Sequence, residues 1–208
     1  MNKLIAFLFL FLIQPLAFGQ TPLSPTEITA FKNKVTAESN ALQTLTANFT
    51  QTKHISFLNK PITSTGTLHL KADNKLRWQY DTPTKYTVVF KDKKLFVNNQ
   101  GKQSSVDLAS NKQFEKMSKL ISGSINGNMF NDADFNISYF KIDADYMVKL
   151  VPKDKDLAKY IKAIELYFDA KDQLVKQSKM IEPNNDYSVI TFANKKINQP
   201  INDSVFNL

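Results

Sequence analysis

The 208-residue chain carries 27 Lys and Arg against 19 Asp and Glu, a formal net charge of +8, and has no cysteine. The missing cysteine excludes disulfides, thiolate nucleophiles, Cys-ligated metals and a lipid-modified N-terminal cysteine. Arg77 is the sole arginine, and lysine is a strongly hydrated point charge without the planar fork that reads phosphates and base edges, so nucleic-acid binding is a poor reading.

The chain opens with Lys3, an unbroken apolar run from Leu4 to Ile13, Pro15, and small residues at Ala17 and Gly19. This is the layout of a cleaved secretory signal; a bilayer-spanning helix would need about 20 apolar residues. Cleavage is expected after Gly19, leaving one soluble, secreted domain over 20–208 with a charge of +7, because Lys3 is lost. Lysines such as Lys91, Lys93 and Lys94 read first as a solvated face. Attraction to an acidic membrane surface or partner is the alternative.

Ser24-Pro25-Thr26-Glu27 is a capping box with Pro at the first helical position. Ile28, Phe31, Val35, Leu42 and Leu45 follow at helical spacing and predict an amphipathic helix over 25–43. Alternation then takes over. Over 47–57, Phe49, Ile55 and Phe57 share one parity, with Asn48, Thr50, Thr52, His54 and Ser56 on the other. Leu68 and Leu70 oppose Thr65, Thr67, His69 and Lys71, and Leu76, Trp78 and Tyr80 oppose Arg77 and Gln79. Each strand has one oily and one wet face, the pattern of an antiparallel sheet with one side in water.

Further strands are predicted at 86–90 and 95–98, with Asn99-Gln100-Gly101 as a turn. A second helix is predicted over 111–121, with Phe114, Met117, Leu120 and Ile121 on one stripe, followed by loop over 123–134. Strands return at 135–141, 145–151, 160–168, 173–181 and 187–194, with turns at 169–172 and 183–186. About ten strands and two helices, without a crossover pattern, imply a mainly β fold: one strongly curved antiparallel sheet with helices on one side.

Catalytic signatures are missing. His54 and His69 share a polar parity but have no nearby carboxylate or cysteine, which leaves them short of a zinc site and reads as surface histidine. No nucleophile elbow, phosphate-binding glycine loop or His-Glu-x-x-His is present. Asp154, Asp156, Asp169 and Asp172 sit among lysines as turn formers.

The segment Phe49-Thr50-Gln51, Gly66-Thr67-Leu68-His69-Leu70-Lys71, then Leu76-Arg77-Trp78-Gln79-Tyr80 leading to Pro83 resembles the opening strands of the LolA family. Leu95-Phe96, Ile190-Thr191-Phe192 and Val205-Phe206 continue the likeness more weakly, the last two as closing strands. The resemblance implies an incomplete, half-open β-barrel covered by the N-terminal helix and a second helical lid, enclosing an apolar cavity for acyl chains. It implies a non-enzyme without cofactors, working as a periplasmic monomer. Acylated lipoproteins would be received from an inner-membrane releasing complex and passed to an outer-membrane acceptor.

The oily parity then assigns the cavity to Phe49, Leu68, Leu70, Leu76, Trp78, Tyr80, Val88, Phe90, Leu166 and Phe168, and the lid to Phe31, Val35, Phe114, Met117 and Leu120. Phe57, Phe96 and Phe192 are further rings for a lipid slot. A filled core made of these same residues is the other reading of the pattern. One departure stands out: where many relatives carry Arg-Pro just after the lysine, this chain has Ala72-Asp73. That arginine is associated with latching the lid, so a different lipid-like cargo, or a protein partner held by the same half-barrel, stays open.

Overall fold

Helix α1 (Pro25–Ala41) begins at its capping box, in a computed structural model that describes residues 19–72, 74–107, 130 and 132–208. Ser24 Oγ accepts from the Glu27 backbone N–H at 3.4 Å and the Ser24 N–H donates to Glu27 Oε2 at 2.9 Å, so both donors at this end are satisfied. The helix ends at Ala41, short of 43. Asn198, from the far end of the chain, seals the stop: its Oδ1 accepts from the N–H groups of Gln43 and Thr44 at 2.7 and 3.3 Å, and its Nδ2 donates to the Ala41 carbonyl at 3.1 Å. Leu42 is therefore a cap and Leu45 a strand residue, although both fit the helical stripe.

The strands are β1 (Thr21–Pro22), β2 (Thr44–His54), β3 (Ile62–Lys71), β4 (Lys75–Thr82), β5 (Tyr86–Lys91), β6 (Lys94–Asn99) and β7 (Lys102–Asp107), then β8 (Phe135–Ile142), β9 (Asp145–Pro152), β10 (Ala163–Phe168), β11 (Val175–Ile181) and β12 (Tyr187–Ile197). They form one antiparallel sheet in the order β1-β8-β9-β10-β11-β12-β2-β3-β4-β5-β6-β7. Its end strands do not pair with each other, so the barrel is open, and α1 lies on its apolar side. Two meanders, β2–β7 and β8–β12, meet at a single seam where Tyr187 of β12 faces His54 of β2 and Ile197 faces Leu45.

The fold class matches expectation, with corrections in detail. Twelve strands are described instead of about ten; β1 is too short to show a period, and β7 has only Val106 as an apolar residue. A four-residue helix, α2 (Lys155–Ala158), capped by Asp154 Oδ1, precedes β10, which starts at Ala163 and not at 160. Strand β11 begins at Val175 and not at 173. Strand β2 stops at His54, leaving Ile55, Ser56 and Phe57 in the hairpin tip with Phe57 80% exposed, so Phe57 does not line a slot.

Phe96 faces Val89 and Ser105 on the outer parity of the sheet, beside Lys91, and is not a slot residue either. Val205 and Phe206 are not a closing strand: they belong to a 3₁₀ turn (Asp203–Phe206) that buries Phe206 on the outer side, with Arg77 donating to the carbonyls of Val205 and Asn207 at 3.0 and 2.9 Å. The predicted signal segment up to residue 18, Asp73, and the predicted second helix with Phe114, Met117 and Leu120 lie outside the described residues.

Candidate functional site: the inner apolar face

Cross-strand register collects the oily parities onto one face. Leu45, Leu70, Leu76, Phe90 and Leu95 form one rung across β2 to β6; Ala47, Leu68, Trp78, Val88 and Val97 form the next; Phe49, Gly66, Tyr80 and Tyr86 form a third. In the other meander Tyr139, Val148, Leu166 and Ser178 are successive partners, with Tyr146 opposite Phe168. All ten cavity residues named from sequence thus share the inner face.

They do not form one cluster. Leu166 and Phe168 belong to a buried group with Leu23, Phe31, Val35, Phe135, Tyr139, Val148 and Leu150, against which Phe130 and Tyr146 pack. Phe31 is its hub, 4.8 Å from Tyr146, 5.2 Å edge-on to Phe168 and 5.8 Å from Phe130 between ring centroids. Phe31 and Val35, expected from sequence to belong to a lid, therefore cover the β8–β10 half. Leu68, Leu70 and Leu76 form a second group with Leu42, against which Trp78, Phe90 and Phe192 pack. Between the two halves, β11 and β12 present Ser178, Met180, Ser188 and Ile190, with small side chains alternating along the floor.

The second half has an aromatic pavement that is only partly covered. Phe49 lies 4.6 Å from Trp78 and 5.1 Å edge-on to Tyr80, while Phe192 meets Trp78 edge-on at 5.9 Å. Trp78, Tyr80, Val88, Phe90 and Phe192 are all half-buried. Gly66 lets Phe49 in: a Cβ there would sit 2.6 Å from the Phe49 ring and 1.9 Å from the Gln79 carbonyl oxygen. Tyr80 Oη donates to Gln51 Oε1 at 2.6 Å. Burial pushes the Tyr80 phenol above its ordinary value; the Trp78 N–H opposes that rise, yet no hydrogen bond closes between them and buried Trp78 Nε1 has no acceptor among the described residues.

On α1, Lys32 reaches the rim of the Phe31 cluster. Burial works against the Lys32 ammonium, but Tyr139, whose ring centroid is 5.2 Å away, and Asp132 at 3.6 Å outweigh it and hold its pKa up. Ala72, at the altered latch position, donates its N–H to the Gln43 carbonyl at 2.8 Å, so backbone contacts and Asn198 tie down the end of α1. A recess lined by Pro25, Thr26, Thr29, Ala30 and Asn33 lies on the flank of α1 turned away from Phe31 and is not part of this face.

His54 and His69 share the outer face but not a site. His69 faces Thr46, eight positions from His54 along β2, which is roughly 27 Å of strand. His54 stacks on Tyr187, and His69 Nδ1 lies 3.2 Å from Thr46 Oγ1. Sequence reasoning missed Tyr139, Tyr146, Val148 and Leu150, although their alternation over 135–151 carried the signal. It also missed Phe130, which sits in a stretch with no period. Among the described residues no helix is long and apolar enough to cross a membrane.

An open antiparallel half-barrel with a helix on its apolar side and a partly covered aromatic floor fits a lipid carrier or a partner-binding protein. The chain belongs to the LolA family: the sequence profile described as outer membrane lipoprotein carrier protein LolA matches residues 40–208, from the end of α1 onward. No curated protein sequence matches it. Among solved structures, an uncharacterized conserved protein from Thermus thermophilus is 10% identical with a TM-score of 0.54, covering 88% of this chain and 93% of that one. The Mycobacterium tuberculosis lipoprotein LppX is 10% identical with a TM-score of 0.50, covering 86% and 99%. A LolA superfamily protein from Nitrosomonas europaea is also 10% identical, with a TM-score of 0.45, covering 86% and 97%.

Proposed function

We propose that this protein is a non-enzymatic periplasmic carrier, exported by a signal ending at Gly19 and folded as one domain over 20–208. It binds the acyl chains of lipoproteins on the inner face and moves them from an inner-membrane releasing complex to an outer-membrane acceptor. The observation that carries this reading is the aromatic floor around Trp78, which stays half-buried while α1 covers the neighbouring half. Each buried methylene contributes about 0.8 kcal/mol, so a floor of this kind gains most from a long-chain occupant.

A second reading keeps the site and changes the cargo to another lipid-like molecule. It is favoured by Ala72 and Asp73 at the latch, where the end of α1 is held by backbone and Asn198 contacts.

Trp78 is the only tryptophan, so its emission reports the site directly. A diacylated lipopeptide should change it, and the same peptide without acyl chains should not. Phe90→Glu should fold and lose acyl binding, because a carboxylate in an accessible site keeps much of its hydration. Unfolding of Phe90→Glu would favour a filled core, and a Trp78 signal indifferent to acylated peptide would refute the carrier.

A further inference from the structure

The antiparallel order places loops 55–61, 83–85, 100–101, 153–162 and 182–186 along one rim of the sheet. Among the described residues, large exposed apolar side chains concentrate there: Phe57 at 80%, Tyr160 at 63%, Ile62 at 45%, Leu58 at 41% and Val151 at 36%. Of the described residues elsewhere, only Ile197 and Leu208 are exposed in this way.

The rim is built, not frayed. Leu58 N–H donates to the Ile55 carbonyl at 2.9 Å and Ser56 N–H to Asp186 Oδ1 at 2.8 Å, which fixes the β2–β3 tip against the β11–β12 turn. Lys53 pairs with Glu182 at 3.2 Å, and Lys162 reaches Asn185 Oδ1 at 2.7 Å, joining the segment before β10 to the same shelf. Loops 55–61 and 83–85, beside Phe57 and Leu58, hold Lys60 and Lys85 and no carboxylate. Farther along the rim Lys153, Lys155, Lys159 and Lys162 are balanced by carboxylates: Asp154 caps α2, Asp156 pairs with Lys159, Asp132 and Asp134 enter β8 next to Lys153, and Glu182 and Asp186 tie the tip.

Rigid presentation of Phe57 and Leu58 to water, beside unspent positive charge, matches the boundary between anionic headgroups and acyl chains, where rings and leucines enter and ammonium groups meet phosphate. We propose that this rim docks the protein onto anionic phospholipid bilayers, with Phe57 and Leu58 as the inserting wedge and Lys60 and its neighbours on the phosphates. The apolar residues are spread along an arc and flanked by lysines, which suits a planar bilayer better than a closed protein pocket. The inference goes beyond carriage of a cargo and needs none bound.

Co-flotation with phosphatidylethanolamine vesicles containing about 30% phosphatidylglycerol, at low salt and without cargo, tests it. The wild-type protein should float with these vesicles, weakly with phosphatidylcholine alone, and less as salt rises. Phe57→Glu/Leu58→Glu should lower partitioning by about tenfold or more while circular dichroism and melting stay unchanged, both side chains being exposed already. Lys60→Glu should weaken flotation at low salt only. Wild-type protein that fails to float, as a hairpin built for a protein partner would, overturns the proposal. So does a double variant that floats like wild type. The Trp78 response to acylated peptide is read separately on the same variant, which keeps failure of docking distinct from failure of carriage.

Discussion

Replacing Gly66 by alanine probes the closest approach in the site. An added Cβ meets the Gln79 carbonyl oxygen at 1.9 Å and the Phe49 ring at 2.6 and 2.8 Å. Real Cβ atoms do not approach this closely, and the nearer obstacle is backbone in β4 that cannot retreat without loosening its ladder with β3. Overpacking costs about 1–3 kcal/mol, and a fixed backbone obstacle puts Gly66→Ala at the upper end, about 3 kcal/mol. At roughly 2–4 °C per kcal/mol for a domain of this size, Tm should fall by about 6–12 °C. Thermal unfolding followed through Trp78, whose ring lies 4.6 Å from that of Phe49, reads this directly. Repeating the change in a Phe49→Ala background separates the obstacles: most of the cost should persist, since the carbonyl contact is the shorter. A Gly66→Ala Tm within about 1 °C of wild type would refute the close approach of β3, β4 and Phe49.

Two further outcomes follow from the lid and from the outer face. If α1 opens to admit cargo, hydrogen exchange should proceed faster in Pro25–Ala41 than in β3 and β5; equal protection throughout would favour a rigid filled core. Burial and then the Arg77 charge lower the pKa of His69 below 6.5, so the unfolded chain binds its proton more readily. Stability should therefore rise with pH in the window below 6.5 and be lost as pH falls through the folded value. Denaturant midpoints for His69→Gln should rise less steeply there, and an unchanged slope would count against the assignment.

Alternation was a sound guide wherever the two faces of a strand meet different media. Leu68 with Leu70 and Leu76 with Trp78 read correctly because the opposite side of β3 and β4 carries polar side chains, Thr67, His69, Arg77 and Gln79. The same rule failed at Phe57, which continues the parity of Phe49 in sequence. There Asp186, 130 positions away, captures the Ser56 N–H beyond the end of the strand. The stop of α1 was illegible for a like reason: its cap is Asn198, 155 positions from Gln43. Phe96 and Phe206 are apolar residues on the outer face, where the C-terminal turn covers β4 and β5. No periodicity announces that contact. Parity placed the ten residues predicted to line a cavity on one face but could not divide the face into two clusters, because that division depends on where α1 crosses it.

The seam between β12 and β2 bears on how the molecule comes into being. Each meander is a run of hairpins between chain neighbours, whereas the seam joins strands separated by more than a hundred residues. Contacts of that span are slow to form because a long loop must close first. The seam also cannot exist until the last strand of the sheet has been made. A chain that crosses a membrane starting from its N-terminus must therefore carry β2 through with one edge unmatched and its oily side bare. For a chain exported as proposed, this topology couples export to folding: β2, at the floor of the inner face, is the part of the sheet that waits longest for its neighbour.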